Sequence, residues 1–472
     1  GNLSQRMCAK AGGLADVSAS LAGELYRQGA AIHLALPNFR RMGSVDVQAL
    51  HEKQEAEIRQ TIPEKRIHLA EDRIFYHRDQ VYSATENTRI ALAFQREVIN
   101  HIIPEVQPDL IHCNDWMTGL IPAVARARGI RSLFTVHNIH TERLTLEEIE
   151  DRGIDAAEFW QHLYYTAPPG DYESTRPSNP VDQLTSGIFS ADYVNTVSPT
   201  FLREIVDGYH EFVPQQIRSE LANKFHAGCA AGILNAPDAA FDPALDERIP
   251  HPYCPADHQH GKRANKLELQ KQFGLRQDAD APLFFWPSRL DPVQKGCQLL
   301  TDILHETVDA YREDGLQVAV VANGEFQQHF RDIVDKGGLH DRVAVRDFNE
   351  DLSHLGYAAA DFMLMPSLFE PCGLPQMISP IYGTLPVVHD TGGIHDTVEQ
   401  LDVAHHRGNG FPFKVFDSDG LRWAIGQAME FHRMPPPKKA VQIERIMHSA
   451  GVRFRHNSTA ADYIDLYTKI LG

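Results

Sequence analysis

Residues 283–296 read LFFWPSRLDPVQKG, and this stretch decides the class of fold. Leu283–Trp286 is an apolar run of strand length, too short for a helix and suited to burial on both faces of a sheet. It runs straight into a polar loop that carries Arg289 and Lys295 and closes on Gly296. Open α/β sheets bind ligands on loops at the carboxyl ends of their strands. Four more runs share the form, at Gln317–Val321, Val343–Arg346, Asp361–Met365 and Leu385–Val388, with helical segments between most of them and another over Lys262–Phe273. Strands alternating with helices imply a parallel sheet covered on both faces.

The same rhythm governs the first half. Leu14, Val17, Leu21 and Leu25 recur at helical spacing, Gly29 supplies a stop, and Ala31–Leu36 is the next apolar run. Strands are expected over 109–112, 132–136 and 192–197, with a helix over about 118–128. Ser198-Pro199 reads as an N-cap followed by proline at the first helical position. The chain is thus expected to be α/β, built as two Rossmann-like domains over 1–245 and 246–455. The change-over lies in the Pro/Asp/His-rich stretch 238–259, and a terminal helix falls within 456–472. Residues 141–180, polar and rich in Pro and Gly, read as an inserted surface loop.

Bulk properties narrow the function. The 472 residues carry 45 Lys and Arg against 63 Asp and Glu, a net charge of −18. Such a surface repels nucleic acid and anionic membranes, so no nucleic acid and no membrane are expected as partners. No run approaches the roughly 20 apolar residues of a membrane span, and residues 1–6 have no signal-like apolar core. The six cysteines are scattered with no CxxC pair, which fits a reducing, cytoplasmic setting and neither a disulfide framework nor a structural zinc site.

Several loops have the composition of a ligand site. Gly12-Gly13, beside Lys10, and Thr391-Gly392-Gly393 each stand before a helix, where bare backbone N–H groups favour an anion. Taken singly, such a glycine pair is more often a plain turn. Arg289 and Lys295 on one loop suit a diphosphate, and cations there would ease the breaking of a sugar–phosphate bond. Glu370, between Phe369 and Pro371, is a carboxylate held on a tight turn, able to bind sugar hydroxyls or to balance charge. Asp115 and His137 each follow a first-half strand and would line one edge of its sheet. Two Asp-x-Asp matches, at 278–280 and 417–419, lie in turn-like contexts, so no metal site is expected.

Taken together, eight segments resemble the bacterial and plant glycogen/starch synthases. They are KAGGLADV (10–17), HCNDWMTGL (112–120), FTVHN (134–138), NTVSP (195–199), GILN (232–235), SRLDPVQKG (288–296), PSLFEPCGL (366–374) and TGGIHDTV (391–398). They occur in the family's order along nearly the whole chain. The resemblance implies a GT-B fold, with two Rossmann-like domains facing across a deep cleft and a C-terminal helix crossing back to the first. It implies retaining transfer of glucose from ADP-glucose to the non-reducing end of an α-1,4-glucan, with no cofactor and no metal.

By motif position, His137, Arg289, Lys295 and Glu370 would be catalytic. Lys10, Gly12, Gly13, Asp115, Asn235, Phe348, Cys372, Gly373, Leu374, Thr391, Gly392 and Gly393 would bind the donor, with Phe348 against the adenine. The departures are Leu368 in place of an arginine, His389 in place of a basic residue, an Arg289–Lys295 loop one residue longer, and no strand in the nine residues before Lys10. Two other readings remain at this stage. One is a related GT-B enzyme using UDP- or GDP-sugars, against which Ile378 stands where many of those enzymes carry a second glutamate. The other is a catalytically weak glucan-binding homologue, which retention of the charged residues argues against.

Overall fold

The computed structural model describes residues 14–38, 55–75 and 87–472. The chain divides into two compact units, one of residues 1–238 with 456–472 and the other of residues 239–455.

In the first unit, strands β1 (Leu34–Pro37) and β2 (Ile67–Ala70) pair in parallel. A four-stranded parallel sheet of β3 (Leu110–Asn114), β4 (Arg131–Val136), β7 (Tyr193–Thr196) and β8 (Ala230–Gly232) has the order β3-β4-β7-β8. Between β4 and β7 lies an antiparallel pair, β5 (Arg143–Leu144) and β6 (Val181–Asp182). This pair corrects the expectation of a surface loop over 141–180. Leu144, Leu146, Ile149, Ile154 and Phe159 are buried in the unit's main core, because the short helix Leu146–Asp151 turns its apolar side inward. A second correction concerns the helix expected over 118–128. The chain first makes a 3-10 turn at Trp116–Thr118, and the helix runs only from Ile121 to Ala127.

Ser198 caps as its sequence context predicts, its side chain accepting from the Phe201 N–H at 2.8 Å with Pro199 opening the helix Pro199–Asp207. The last helix, His456–Leu471, packs on the helix Leu14–Arg27 and on the sheet of the first unit. Its Tyr467 hydroxyl is 2.7 Å from His112 Nδ1, and its Tyr463 hydroxyl accepts from Asn195 Nδ2 at 3.0 Å. All four residues are buried.

The second unit is one six-stranded parallel sheet. Its strands are β9 (Leu283–Trp286), β10 (Gln317–Val321), β11 (Val343–Arg346), β12 (Phe362–Met365), β13 (Leu385–His389) and β14 (Phe411–Phe413). They stand in the order β11-β10-β9-β12-β13-β14. Strand order therefore reverses between β9 and β12, and the crevice outside the carboxyl ends of two such strands is where this topology binds its ligands. Phe284, Trp286, Val318, Val320, Leu364 and Val387 share one core cluster with helix residues such as Leu300, Leu304 and Phe330, so apolar β-branched and aromatic side chains fill the layers. No helix among the described residues is long and apolar enough to cross a membrane.

Candidate active site

In the second unit every expected site residue follows the carboxyl end of a strand. The loop after β9 holds Arg289 and Lys295, and the loop after β12 holds Glu370 and Cys372–Leu374. Phe348 follows β11, and Thr391–Gly393 follow β13. Lys295 Nζ reaches Glu370 Oε1 at 2.5 Å, and both side chains are largely buried. The same oxygen accepts from Ser367 Oγ at 3.1 Å. A pair withdrawn from water is held tightly only when its remaining bonds are also made, and Ser367 supplies one of them.

Two glycines make this meeting possible. Gly296 has φ +72°, and a Cβ there would stand 1.9 Å from the Pro366 carbonyl oxygen. The β9 loop can therefore press on the β12 loop only through bare backbone. A Cβ on Gly393 would lie 2.1 Å from the Cys372 carbonyl oxygen, and the Gly393 N–H donates to the Glu370 carbonyl at 3.0 Å. Cys372–Leu374 and Thr391–Gly393 thus form one backbone cluster behind Glu370. Gln376 ties it further, its Nε2 donating to the carbonyls of Cys372 (2.9 Å) and Gly373 (3.1 Å).

Arg289 is placed differently from Lys295. Its side chain is 70% exposed and its carboxylate neighbour, Asp291, is 3.5 Å away. Phe348, half exposed, is anchored through its N–H to Asn323 Oδ1 at 3.0 Å, while the Asn323 carbonyl accepts from the Leu290 N–H at 2.9 Å. Asn323 therefore joins the loop that bears Arg289 to the loop that bears Phe348. Sequence reading missed Asn323 and Ser367. Ser367 could have been found from its place inside the PSLFEPCGL segment, whereas Asn323 has no comparable signal.

In the first unit Asp115 and His137 are brought together. Asp115 Oδ1 accepts from the His137 N–H at 2.7 Å and from the Asn138 N–H at 3.4 Å, while Oδ2, also buried, has no hydrogen-bond partner among the described residues. Asp115 has φ +62° and ψ 178°, a conformation almost confined to glycine that costs of order 1–3 kcal/mol and tends to be kept at functional positions. Burial raises the Asp115 carboxyl to about 7, partly opposed by the two backbone N–H groups. Burial lowers His137 to about 4, so its imidazole is neutral at pH 7, and Nε2 lies 3.0 Å from Asn114 Oδ1. Asn235 follows β8, in a segment set by Gly232, whose bare Cα lies against the Ser198–Pro199 peptide. Lys10, Gly12 and Gly13 lie outside the described residues.

The two Asp-x-Asp sequences are local turn and cap structures. Asp417 accepts from the Gly420 N–H at the start of the helix Ser418–His432, and Asp278 accepts from the Asp280 N–H at 2.9 Å.

Comparison with known proteins places the chain. Residues 5–217 match the model described as starch synthase catalytic domain, and residues 281–430 match glycosyl transferases group 1. The glycogen synthase of Syntrophotalea carbinolica is 31% identical over 98% of this chain and 96% of its own length. The chain belongs to the glycogen synthase family. The enzyme of Moorella thermoacetica in that family is 33% identical over 98% and 94% of the two chains. The catalytic domain of starch synthase IV from Arabidopsis thaliana, bound to ADP and acarbose, superposes with a TM-score of 0.79 at 27% identity, covering 100% of this chain and 98% of that one. Sucrose-phosphate synthase from Thermosynechococcus elongatus (TM-score 0.58, 17% identity) shares the fold. The protein is a glycosyltransferase of GT-B architecture.

Proposed function

We propose that this chain transfers glucose from ADP-glucose to the non-reducing end of an α-1,4-glucan with retention of the anomeric configuration. The observation that carries the reading is the Lys295–Glu370 pair at the strand-order reversal of the second sheet. Similarity along the whole chain to a starch synthase bound to ADP and acarbose supports the same donor and acceptor classes.

In this reading Lys295 and Arg289 neutralise the diphosphate as the glucosyl C1–O bond breaks, and Glu370 holds Lys295 while accepting from glucose hydroxyls. Phosphate oxygens also take N–H bonds from the Gly392–Gly393 turn and from the Lys10–Gly13 segment, and Phe348 lies on the adenine. His137, uncharged, exchanges hydrogen bonds with the transferred sugar, and Asp115 Oδ2, which has no partner among the described residues, accepts from a sugar hydroxyl. The glucan 4-hydroxyl attacks C1 on the face the diphosphate leaves. Its proton passes to the departing phosphate oxygen, so one C–O bond forms as another breaks and no protein nucleophile is needed. Protein cations carry the charge that a metal would otherwise balance, so the reaction is metal-independent in this reading.

The test is nucleoside diphosphate release from ADP-glucose and from UDP-glucose, with and without glycogen, in EDTA. Glycogen-dependent ADP release that survives EDTA is expected. Preference for UDP-glucose would overturn the donor assignment, and no release from either by folded protein would overturn the activity.

A further inference from the structure

His389, one of the departures from the family pattern, ends β13. The pairing of β12 with β13 stops at Met365 and Val388, so Ser367 lies beyond the ladder, in the loop that carries Glu370. His389 Nδ1 is 2.6 Å from the Ser367 carbonyl oxygen. A carbonyl only accepts, so Nδ1 bears the proton and donates the hydrogen bond. Both residues are buried, and the imidazole stands beside two phenyl rings, Phe413 at 5.5 Å between centroids and Phe416 at 5.1 Å. A polar ring among aromatic side chains costs stability unless it is bonded, and a buried carbonyl outside a ladder needs a donor in the same way.

Ser367 is engaged at both ends. Its hydroxyl donates to Glu370 Oε1 at 3.1 Å, the oxygen that also meets Lys295 Nζ. The next peptide groups are held from the other flank, since β12 stands between β9 and β13. There the Leu368 N–H donates to the Gln294 carbonyl at 2.8 Å, and Gln294 Nε2 donates to the Phe369 carbonyl at 3.2 Å. The β9 loop thus grips this segment on one side and His389 grips it on the other. A serine hydroxyl moves with its own backbone, so the place of the Ser367 peptide decides whether the hydroxyl reaches Glu370.

We propose that His389 is a positioning residue for the transfer reaction, holding Ser367 so that its hydroxyl orients the Glu370 carboxylate toward Lys295. It acts through two hydrogen bonds in series and touches no substrate in this role. The inference rests on the reading of Lys295 and Glu370 as the groups that meet diphosphate and sugar. The bond asks for a donor at the δ position, not for a charge.

Two substitutions separate this role from packing. Asparagine places its Nδ2 near the position of the imidazole Nδ1 and keeps the bond in a smaller, more polar side chain. Leucine fills the space beside the phenyl rings and has no donor. His389→Asn should keep kcat within about twofold of the parent and His389→Leu should lower it about five- to tenfold, the scale of one lost hydrogen bond. KM for glycogen should be unchanged in both. Packing alone predicts the reverse order, and that order, or equal rates in the two variants, overturns the proposal. Should His389→Leu fail to fold, His389→Gln, whose donor is set one bond further out, takes its place with the same expectation. In a Ser367→Ala background His389→Leu should cost no further activity, and an undiminished further loss would show that His389 does not act through Ser367. Calorimetric titration with ADP reads the same order without turnover, His389→Leu binding severalfold more weakly than His389→Asn. A parent that binds ADP but transfers no glucose would overturn the proposed function and leave the ADP titration to decide the role of His389. A parent that binds no ADP would overturn both.

Discussion

Lys295 Nζ stands 2.5 Å from Glu370 Oε1, and the two residues come from the loops after β9 and β12, the strands between which the sheet order reverses. Neither side chain is free to act alone. The carboxylate fixes the position of the ammonium, and the ammonium and the Ser367 hydroxyl both donate to the same oxygen of Glu370.

Lys295→Ala and Glu370→Ala should each lower kcat by about 10²–10³-fold, the scale seen when one preorganised donor is removed from a transition state. Because the two act as a unit, the double variant should lose far less than the product of the single losses. Steady-state kinetics on the four proteins of this cycle measure the coupling, and simple multiplication of the two effects would sink it.

Arg289 offers a contrast. Its side chain is 70% exposed and touches little else, so Arg289→Ala should leave the melting temperature within about 1 °C of the parent, as for most surface changes. Loss of a charge-assisted bond to the departing diphosphate should still cut kcat about 10–100-fold. A thermal melt and an initial-rate assay on one preparation suffice, and unchanged turnover would remove Arg289 from the mechanism.

Gly296→Ala should cost about 2 kcal/mol or more, from the positive φ and from a Cβ set against the Pro366 carbonyl. The loop must back away, carrying Lys295 from Glu370. Urea unfolding should show the stability loss and kinetics the matching fall in kcat. A full-rate Gly296→Ala enzyme would show that the Lys295–Glu370 contact tolerates displacement.

Acid stability follows from three groups of the first unit, the buried His112 and Asp115 and the partly buried His137. Burial holds His112 down at about 3 and His137 at about 4, against 6.5 for a free imidazole, and raises Asp115 to about 7 against 3.8. Between pH 4 and 6.5 the unfolded chain has both imidazoles protonated and Asp115 ionised, while the folded chain has the reverse. The unfolded state thus binds one more proton net, so this trio makes stability rise with pH across that window, by about 1.4 kcal/mol per pH unit. His112→Asn removes one titrating imidazole and should flatten the slope by about that amount. Urea unfolding at pH 4.5, 5.5 and 6.5 checks it, and parallel slopes in the two proteins would contradict the assignment.

Legibility from sequence was uneven for physical reasons. Five of the six strands of the second unit were readable because each is a largely buried, mainly apolar run, whereas the three-residue β14 went unread, and the bounds expected for β9, β10 and β11 are the observed ones. Residues 141–180 misled because their apolar residues are spaced irregularly among prolines and polar residues, and burial there depends on tertiary partners rather than a period. The charged loops announced Lys295 and Glu370 as separate candidates, but their contact depends on Gly296 lying against Pro366, which no local pattern reveals. His112 was readable only as part of a motif. Its partner Tyr467 lies 355 positions away.

That distance bears on how the protein is made. The second unit is one unbroken segment, 239–455, whereas the first contains segments on either side of it. During translation, residues 239–455 are synthesised in full before the helix whose Tyr467 and Tyr463 hydroxyls meet His112 and Asn195. The unit begun first is therefore the one finished last. A chain truncated before residue 456 would keep the whole segment of the second unit yet leave the buried histidine of the first without its tyrosine.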